Sequence, residues 1–235
     1  MNGALSIEWI GETAYGDALA HQHQAVADRI AGRTPDRLIL LEHPPVVTLG
    51  RSTDRANLRA GEDRLRELGV ELFEVGRGGD VTYHAPGQLV GYPILDLLAL
   101  GRPDVHAHLR RLEAGLIDAL EELGVPACRM PGWTGVFIDR ARSSQPRGPE
   151  RKIASIGVGV RRWVTFHGFA LNSTIDLRGF ESIVPCGLRD VEMTSVAVEL
   201  AREEGVPSLD PAWNDALDVR VREVVGRTMR THLGR

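Results

Sequence analysis

Apolar residues along the chain follow the spacing of helices in several segments. Over 12–33 they recur every three or four positions, which is typical of an amphipathic helix. The same spacing predicts helices over four more segments, which are 62–68, 103–123, 194–203 and 211–229. For the segment 103–123, Asp104 supplies a helix cap and Gly124 follows the last turn, as expected at the two ends of a helix.

Short apolar runs of strand length lie between these helices. They predict strands over 37–42, 46–49, 70–75, 136–138, 153–160 and 166–171. The segment 77–91 is dense in glycine and has strand-like flanks, whereas 142–149 has the composition of a surface loop. Because helices and strands mix without strict βαβ alternation, we predict an α/β (α+β) fold with a mixed β-sheet packed with helices.

The domain organisation follows from the absence of internal repeats and of any long linker. The turn at 208–211 is the only candidate linker in the sequence, and no segment repeats at a fixed period. We therefore predict a single domain over 1–235 that closes with the helical segment 211–229.

Composition narrows the class of protein. The 43% hydrophobic and 26% charged residues are ordinary for a globular chain, and a net charge of -4 argues against a general nucleic-acid binder. The sequence has no signal-peptide pattern at its start and no apolar run near the roughly 18 residues of a membrane span. Two cysteines are too few for a disulfide framework. We expect a cytoplasmic protein without a membrane or nucleic-acid partner.

Positive charge is concentrated around the middle of the chain. Between Asp139 and Arg162 there are seven basic and two acidic residues, a local excess of five positive charges. Such a run is either a solvated surface or a docking site for an acidic macromolecule, and the sequence leaves both interpretations open.

Lys152 is the single lysine among 28 basic residues, the other 27 being arginines. Arginine stays protonated in proteins, whereas a lysine amine can exchange its proton. A chain that uses arginine almost everywhere and keeps one lysine has a chemical reason to do so if that position needs a titratable amine. Compositional bias is the alternative explanation.

Cys186 is a residue whose chemistry would need a titratable amine nearby. It lies between Pro185 and Gly187, which is typical of an irregular, chain-bending position, whereas Cys128 lies in an apolar, strand-like setting that suits a structural thiol. A nearby ammonium lowers the pKa of a cysteine from its usual value of about 8.5, and a neutral amine can take the thiol proton. We therefore predict a Cys186–Lys152 pair.

A third segment that is a candidate for ligand binding is the glycine-rich run from Arg77 to Gln88. Its paired glycines allow close approach to the backbone, whose N–H groups can donate to a ligand, although a tight turn between strands explains the run equally well. A metal site is not predicted, because the histidine pairs are spaced i, i+2 on predicted helices and no cysteine pair has zinc spacing. A Walker loop and a dinucleotide-binding fingerprint are also absent, so we predict no cofactor.

Taken together, the motifs resemble the lipoyl(octanoyl) transferase family, the octanoyl-acyl-carrier-protein:protein N-octanoyltransferases. The resemblance covers about 43–195, and the matching segments occur in the order of the family pattern. They are Arg77–Gln88, Tyr92-Pro93, Gly135-Val-Phe137, Lys152–Gly157, His167–Asn172, Pro185-Cys-Gly187 and Thr194-Ser195. Ala85 departs from the glycine that most members have, and the loop 142–149 is longer than usual.

The resemblance implies the catalytic-domain fold of biotin and lipoate protein ligases and an acyltransferase activity in the first step of lipoate cofactor assembly. It implies that Cys186 attacks the thioester of octanoyl-acyl-carrier protein, that Lys152 activates the thiol, and that a lysine of a lipoyl domain takes the acyl group without ATP. The implied acceptors are the lipoyl domains of 2-oxoacid dehydrogenase complexes and the glycine cleavage H protein, and we expect a monomer. The implied acyl site consists of Arg77, Gly78, Gly79, Asp80, Val81, Thr82, Tyr83, His84, Ser155, Ile156, Gly157, Gly168, Phe169 and Ala170.

Three alternatives stay open at the level of sequence. An ATP-dependent lipoate or octanoate protein ligase shares the fold but does not need the Pro-Cys-Gly motif. An amidotransferase that moves octanoyl between lipoyl domains also uses a cysteine thioester. A non-catalytic binder of acyl-carrier protein keeps the pocket without the chemistry.

Overall fold

The computed structural model describes residues 5–187, 190–204 and 210–234, with positions 186 and 204 described for the backbone alone. A mixed sheet forms the centre, with strands in the order β1-β2-β6-β10-β9-β8-β7 and β11 beside β9. The strands are β1 (Ser6–Glu12), β2 (Arg37–Glu42), β6 (Gln88–Ile94), β7 (Ala127–Cys128), β8 (Val136–Ile138), β9 (Glu150–Arg161), β10 (Val164–Asn172) and β11 (Val191–Met193). Pairing is parallel between β1 and β2 and between β9 and β11, and antiparallel elsewhere in this sheet.

A smaller second sheet has the order β4-β3-β5. Its strands are β3 (Val46–Leu49), β4 (Glu71–Glu74) and β5 (Val81–His84). The described helices are α1 (Tyr15–Ile30), α2 (Gly61–Glu67), α3 (Val105–Glu122), α4 (Val196–Glu204) and α5 (Pro211–Leu233). Short 3-10 segments occur at Arg55–Asn57, Leu177–Ser182 and Pro185–Gly187. In the described part of the chain, no helix is both long and apolar enough to cross a membrane.

The buried apolar residues form three clusters around the sheets. One joins α3, α4 and α5 to the main sheet, a second packs α1 on the opposite face, and a third fills the space beneath the second sheet. Buried apolar surface of this kind is the main favourable contribution to folding. The second sheet and the face of the main sheet next to α1 together leave room for a cavity.

The fold confirms the predicted mixed sheet packed with helices, and the Asp104 carboxylate caps α3 by accepting from the N–H of Ala107 at 3.0 Å. The first helix begins at Tyr15 and not at residue 12, because β1 occupies the preceding residues as an edge strand. β1 escaped prediction since it is mostly exposed and lacks a clear alternation of apolar and polar residues.

Candidate active site

A cavity of about 250 Å³ lies between the central strands of the main sheet and the second sheet. Residues of β5, β6, β9 and β10 form most of its wall. Tyr15, the segment 77–80 before β5 and the segment 132–134 contribute the rest. Because the strands hold the backbone around the cavity in place, the shape of the cavity depends on which side chains of each strand point into it.

Lys152 borders this cavity and is 1% exposed. It lies in β9 between two neighbouring strands, opposite Phe137 of β8 and Met193 of β11. Its backbone carbonyl accepts a hydrogen bond from the N–H of Thr194 at 2.9 Å, and its Nζ lies 5.6 Å from the centre of the Phe137 ring. An ammonium over an aromatic face is attracted by the ring, so Phe137 helps to hold the amine in place.

Gly135 allows the chain to pass directly beside Lys152. It has a φ of +127°, and a Cβ built there would lie 2.6 Å from the carbonyl oxygen of Ala154 and 2.8 Å from Cε of Lys152. Its N–H donates to the Glu113 carboxylate at 3.2 Å, and this buried carboxylate also pairs with Arg110 and Arg129. Glu113 on α3 thereby anchors the 132–134 wall of the cavity.

We expect Gly135→Ala to displace the Lys152 side chain and to slow acyl transfer strongly, because the methyl group clashes with both the lysine and the neighbouring strand. The left-handed backbone adds about 1–3 kcal/mol of strain. Gly148→Ala is the matched control: that glycine has a φ of +112° and no atom within 4 Å of the place that a Cβ would take, so it carries the strain without the clash. Acylation rates and denaturant unfolding of both variants test this. Equal activity losses in the two variants would contradict the role of the clash.

The turn Pro185–Gly187 carries Cys186 and packs against β5. A Cβ on Gly187, whose φ is +67°, would lie 3.1 Å from Oδ2 of Asp80. The side chain of Cys186 lies outside the described residues. Asp80 itself borders the cavity, so the cysteine-bearing turn is seated on one wall of the cavity that Lys152 also borders.

Asn57 ties this turn to the cavity wall, a role that sequence reasoning missed. Its Nδ2 donates to Oδ2 of Asp80 at 2.5 Å, and its backbone carbonyl accepts from the N–H of Val184 at 2.7 Å. The Asp80 carboxylate also accepts from the backbone N–H groups of Asp54 and Val81. Asn57 thus bridges β5 and the residue just before the Pro-Cys-Gly motif.

The glycine-rich segment packs on β9 more tightly than its sequence indicates. The N–H of Gly78 donates to the Val158 carbonyl at 2.9 Å, so this N–H is engaged within the protein. A Cβ on Gly157 would lie 2.8 Å from the carbonyl oxygen of Gly78. Arg77 is buried, and its guanidinium donates to the backbone carbonyl and hydroxyl of Thr48 at 2.8 Å each. Gly78 and Gly157 therefore let two protein segments meet, while Arg77 and Gly79 border the cavity.

Strand alternation divides Asp80 and the predicted residues of β5 that follow it between two faces. Asp80, Thr82 and His84 border the cavity, whereas Val81 and Tyr83 lie in the apolar cluster of the second sheet. The Tyr83 ring packs edge-on against Phe180 with centroids 5.5 Å apart. The structure thus does not bring the side chains of Val81 and Tyr83 to the cavity, as a period of two requires.

The predicted residues of β9 and β10 all border the cavity. They form three cross-strand pairs, which are Ser155↔Ala170, Ile156↔Phe169 and Gly157↔Gly168. The small side chains of Ser155 and Ala170 leave room for an apolar chain, whereas the place of a Cβ on Gly157 or Gly168 is filled by the backbone of Gly78 or Gly91. Neither Ala85, which is buried in the second-sheet cluster, nor the exposed loop 142–149 borders the cavity.

Several cavity residues were not among the predicted site residues. They are Tyr15, Val90, Tyr92, Gly132, Trp133, Thr134 and His167. Tyr92 and His167 lie within motifs of the family pattern, so the sequence carried a signal for these two residues. Tyr15 and Trp133 lie in segments that match no motif of the pattern. His167 has a φ of +52° within a strand, and burial, followed by the charge of Arg77, lowers its pKa to about 3.

The run of positive charge between 139 and 162 does not form one basic surface. Arg140 pairs with Glu150, Arg142 with Glu121, and Arg151 with the buried Glu199. Lys152 is itself buried. Helices distant in sequence supply two of these carboxylates, so the net positive charge at this surface is smaller than the count over 139–162.

Comparison with known proteins places the chain in a family. Residues 14–217 match the family model described as lipoyl protein ligase A/B catalytic domain. The octanoyltransferase of Solibacter usitatus is 49% identical over 197 residues, covering 83% of this chain and 84% of the relative. That of Rhodococcus opacus is 43% identical over 214 residues, covering 91% and 79%.

Solved structures agree on the fold. Lipoate-protein ligase A bound with ATP has a TM-score of 0.64 at 16% identity, covering 98% of this chain and 86% of the other. The biotin protein ligase of Leishmania major with biotinyl-5-AMP has a TM-score of 0.52 at 13% identity, covering 98% and 74%. At such low identities these structures support the fold alone, whereas the family match and the relatives that are 43–49% identical show the family. The chain belongs to the octanoyltransferases of the lipoyl protein ligase A/B catalytic-domain family and is an acyltransferase.

Proposed function

We propose that this enzyme moves an octanoyl group from octanoyl-acyl-carrier protein to a lysine of a lipoyl domain, through a thioester on Cys186. The observation that carries the proposal is the placement of the single lysine of the chain. Lys152 is buried at the border of the cavity, and the Cys186 turn packs on a wall of the same cavity. Relatives named octanoyltransferase support the choice of acyl group.

In the first half-reaction, the Cys186 sulfur forms a bond to the carbonyl carbon of the donor thioester, and the carbon–sulfur bond to the carrier breaks. Lys152 takes the thiol proton as a general base, and this proton restores the thiol of the departing carrier arm. Arg77, Gly79, Asp80, Thr82 and His84, with the three β9–β10 pairs, surround the acyl group. Val81, Tyr83 and Gly78 hold the shape of this wall from behind.

In the second half-reaction, the amine of the target lysine attacks the octanoyl-enzyme. A carbon–nitrogen bond forms, the carbon–sulfur bond breaks, and the proton lost by nitrogen restores the Cys186 thiol. The product is an amide, which is more stable than a thioester, so the transfer needs no ATP. Acceptors of the expected kind are the lipoyl domains of 2-oxoacid dehydrogenase complexes and the glycine cleavage H protein.

We also propose that the whole chain acts as one catalytic domain and works as a monomer. The helices α4 and α5 share an apolar cluster with α3 and the main sheet, so the C-terminal segment is part of the structure that holds β9.

The proposed activity is ATP-independent. With octanoyl-acyl-carrier protein and an apo lipoyl domain, we expect octanoylation of the domain in the absence of nucleotide. The measurement is the mass of the lipoyl domain over time, with free octanoate plus ATP and an octanoylated lipoyl domain as alternative donors. Octanoylation only with free octanoate and ATP, together with pyrophosphate release, would identify a ligase. Transfer only from the octanoylated domain would identify an amidotransferase.

A further inference from the structure

A chain of hydrogen bonds fixes the orientation of the His84 ring relative to Lys152. The N–H of Thr194 donates to the Lys152 carbonyl at 2.9 Å, and the Thr194 carbonyl accepts from Nδ2 of Asn172 at 2.8 Å. Oδ1 of Asn172 accepts from Nε2 of Gln88 at 2.8 Å, and Oε1 of Gln88 lies 2.6 Å from Nδ1 of His84. Four consecutive contacts therefore join the backbone of the lysine to the imidazole.

These contacts also decide which nitrogen of His84 carries the hydrogen. Nε2 of Gln88 donates to the backbone carbonyl of Tyr83 at 3.2 Å as well as to Asn172, so both of its hydrogens are used. Oε1 of Gln88 can only accept, and Nδ1 of His84 must therefore be the donor. Burial, followed by the nearby His43, lowers the pKa of His84 to about 3, so the ring is neutral near neutral pH. Nε2 then carries a lone pair.

The lone pair of Nε2 is open to the cavity. His84 borders the cavity, and among the described residues no donor pairs with its Nε2. The Nε2 atoms of His108 and His167 are also without partners but are enclosed by protein, unlike that of His84. The Asp80 carboxylate, another acceptor at the cavity, is already occupied by Asn57 and two backbone N–H groups.

An octanoyl thioester offers no hydrogen to an acceptor, since its only polar atom besides sulfur is a carbonyl oxygen. The target amine of the second half-reaction does offer N–H groups. Building on the function proposed above, we propose that Nε2 of His84 accepts a hydrogen bond from this amine. The hydrogen bond orients the amine so that the lone pair of its nitrogen attacks the thioester on Cys186. His84 is then a catalytic residue of the aminolysis step, with the proton lost by nitrogen still ending on the departing sulfur.

The test separates the two half-reactions in His84→Asn. The asparagine amide can keep the contact to Gln88 but places no acceptor where Nε2 lies. We expect the rate at which isolated octanoyl-enzyme transfers its acyl group to an apo lipoyl domain to fall more than the rate of enzyme acylation does. The difference should be about tenfold or more, which is the loss expected for one hydrogen bond. His84→Gln, whose longer side chain reaches the position of Nε2, should recover part of the discharge rate. Rapid-quench intact-protein mass measures both rates.

Equal losses in both half-reactions would overturn this inference, because His84 would then serve the donor, for example an amide of its carrier arm. Discharge of His84→Asn at the parent rate would overturn it as well. Acylation of the variants serves as the check that they fold. A parent enzyme that forms no octanoyl-enzyme would refute the proposed function itself, an outcome distinct from normal discharge in the variant.

Discussion

Lys152→Arg should lower the rate of octanoyl-enzyme formation by about 10²- to 10⁴-fold, the usual contribution of a general acid–base group. The substitution places a permanently charged guanidinium at a buried position of β9 and removes the ability to exchange a proton. Single-turnover acylation by octanoyl-acyl-carrier protein measures the effect directly. We expect the loss to appear in the rate constant and not only in the donor concentration needed for saturation.

The neighbouring residue provides the reverse exchange as a control. Arg151 lies next to Lys152 in β9, is also buried, and pairs with Glu199 outside the cavity wall. Arg151→Lys perturbs the same strand without touching the proposed chemistry, so its acylation rate should stay within a few-fold of the parent. Near-parent acylation by Lys152→Arg would show that the amine acts only through its charge.

Cys186→Ser should abolish octanoyl transfer, because a serine hydroxyl beside the same base is a far poorer nucleophile toward a thioester than a thiolate. Steady-state octanoylation of a lipoyl domain should fall to the uncatalysed background. Cys128→Ser is the matched control: its thiol lies 3.8 Å from the Ile138 carbonyl, and burial raises its pKa. That variant should transfer octanoyl at close to the parent rate. Turnover by Cys186→Ser would remove the thioester from the mechanism.

The sequence was sufficient to predict most helices and strands, since their apolar spacing reflects which face each element buries. It also located β9 and β10, whose small residues fall into register across the strand pair at Gly157 and Gly168. The sequence also allowed a prediction of which β5 side chains face the cavity. Side chains alternate along a strand with a period of two, which separates Val81 and Tyr83 from their cavity-facing neighbours.

Other parts of the site depend on contacts between distant segments and carry no local signal. Asn57 meets Asp80 and Val184 only because the 3-10 segment that it ends folds onto β5. Glu113 is a buried carboxylate on a helix whose spacing predicts only amphipathicity, yet it anchors the wall next to Gly135. The excess of positive charge counted over 139–162 is also reduced by a distant segment, since the charge of Arg142 is met by Glu121 of α3.

The octanoyl-enzyme is the species on which the proposed mechanism depends, and intact-protein mass detects it without a coupled assay. The parent, Cys186→Ser and Cys128→Ser are each incubated briefly with octanoyl-acyl-carrier protein, without ATP or acceptor. We expect a gain of one octanoyl group, removable by hydroxylamine, on the parent and on Cys128→Ser but not on Cys186→Ser. An unmodified parent, or an adduct that persists in Cys186→Ser, would contradict the thioester mechanism.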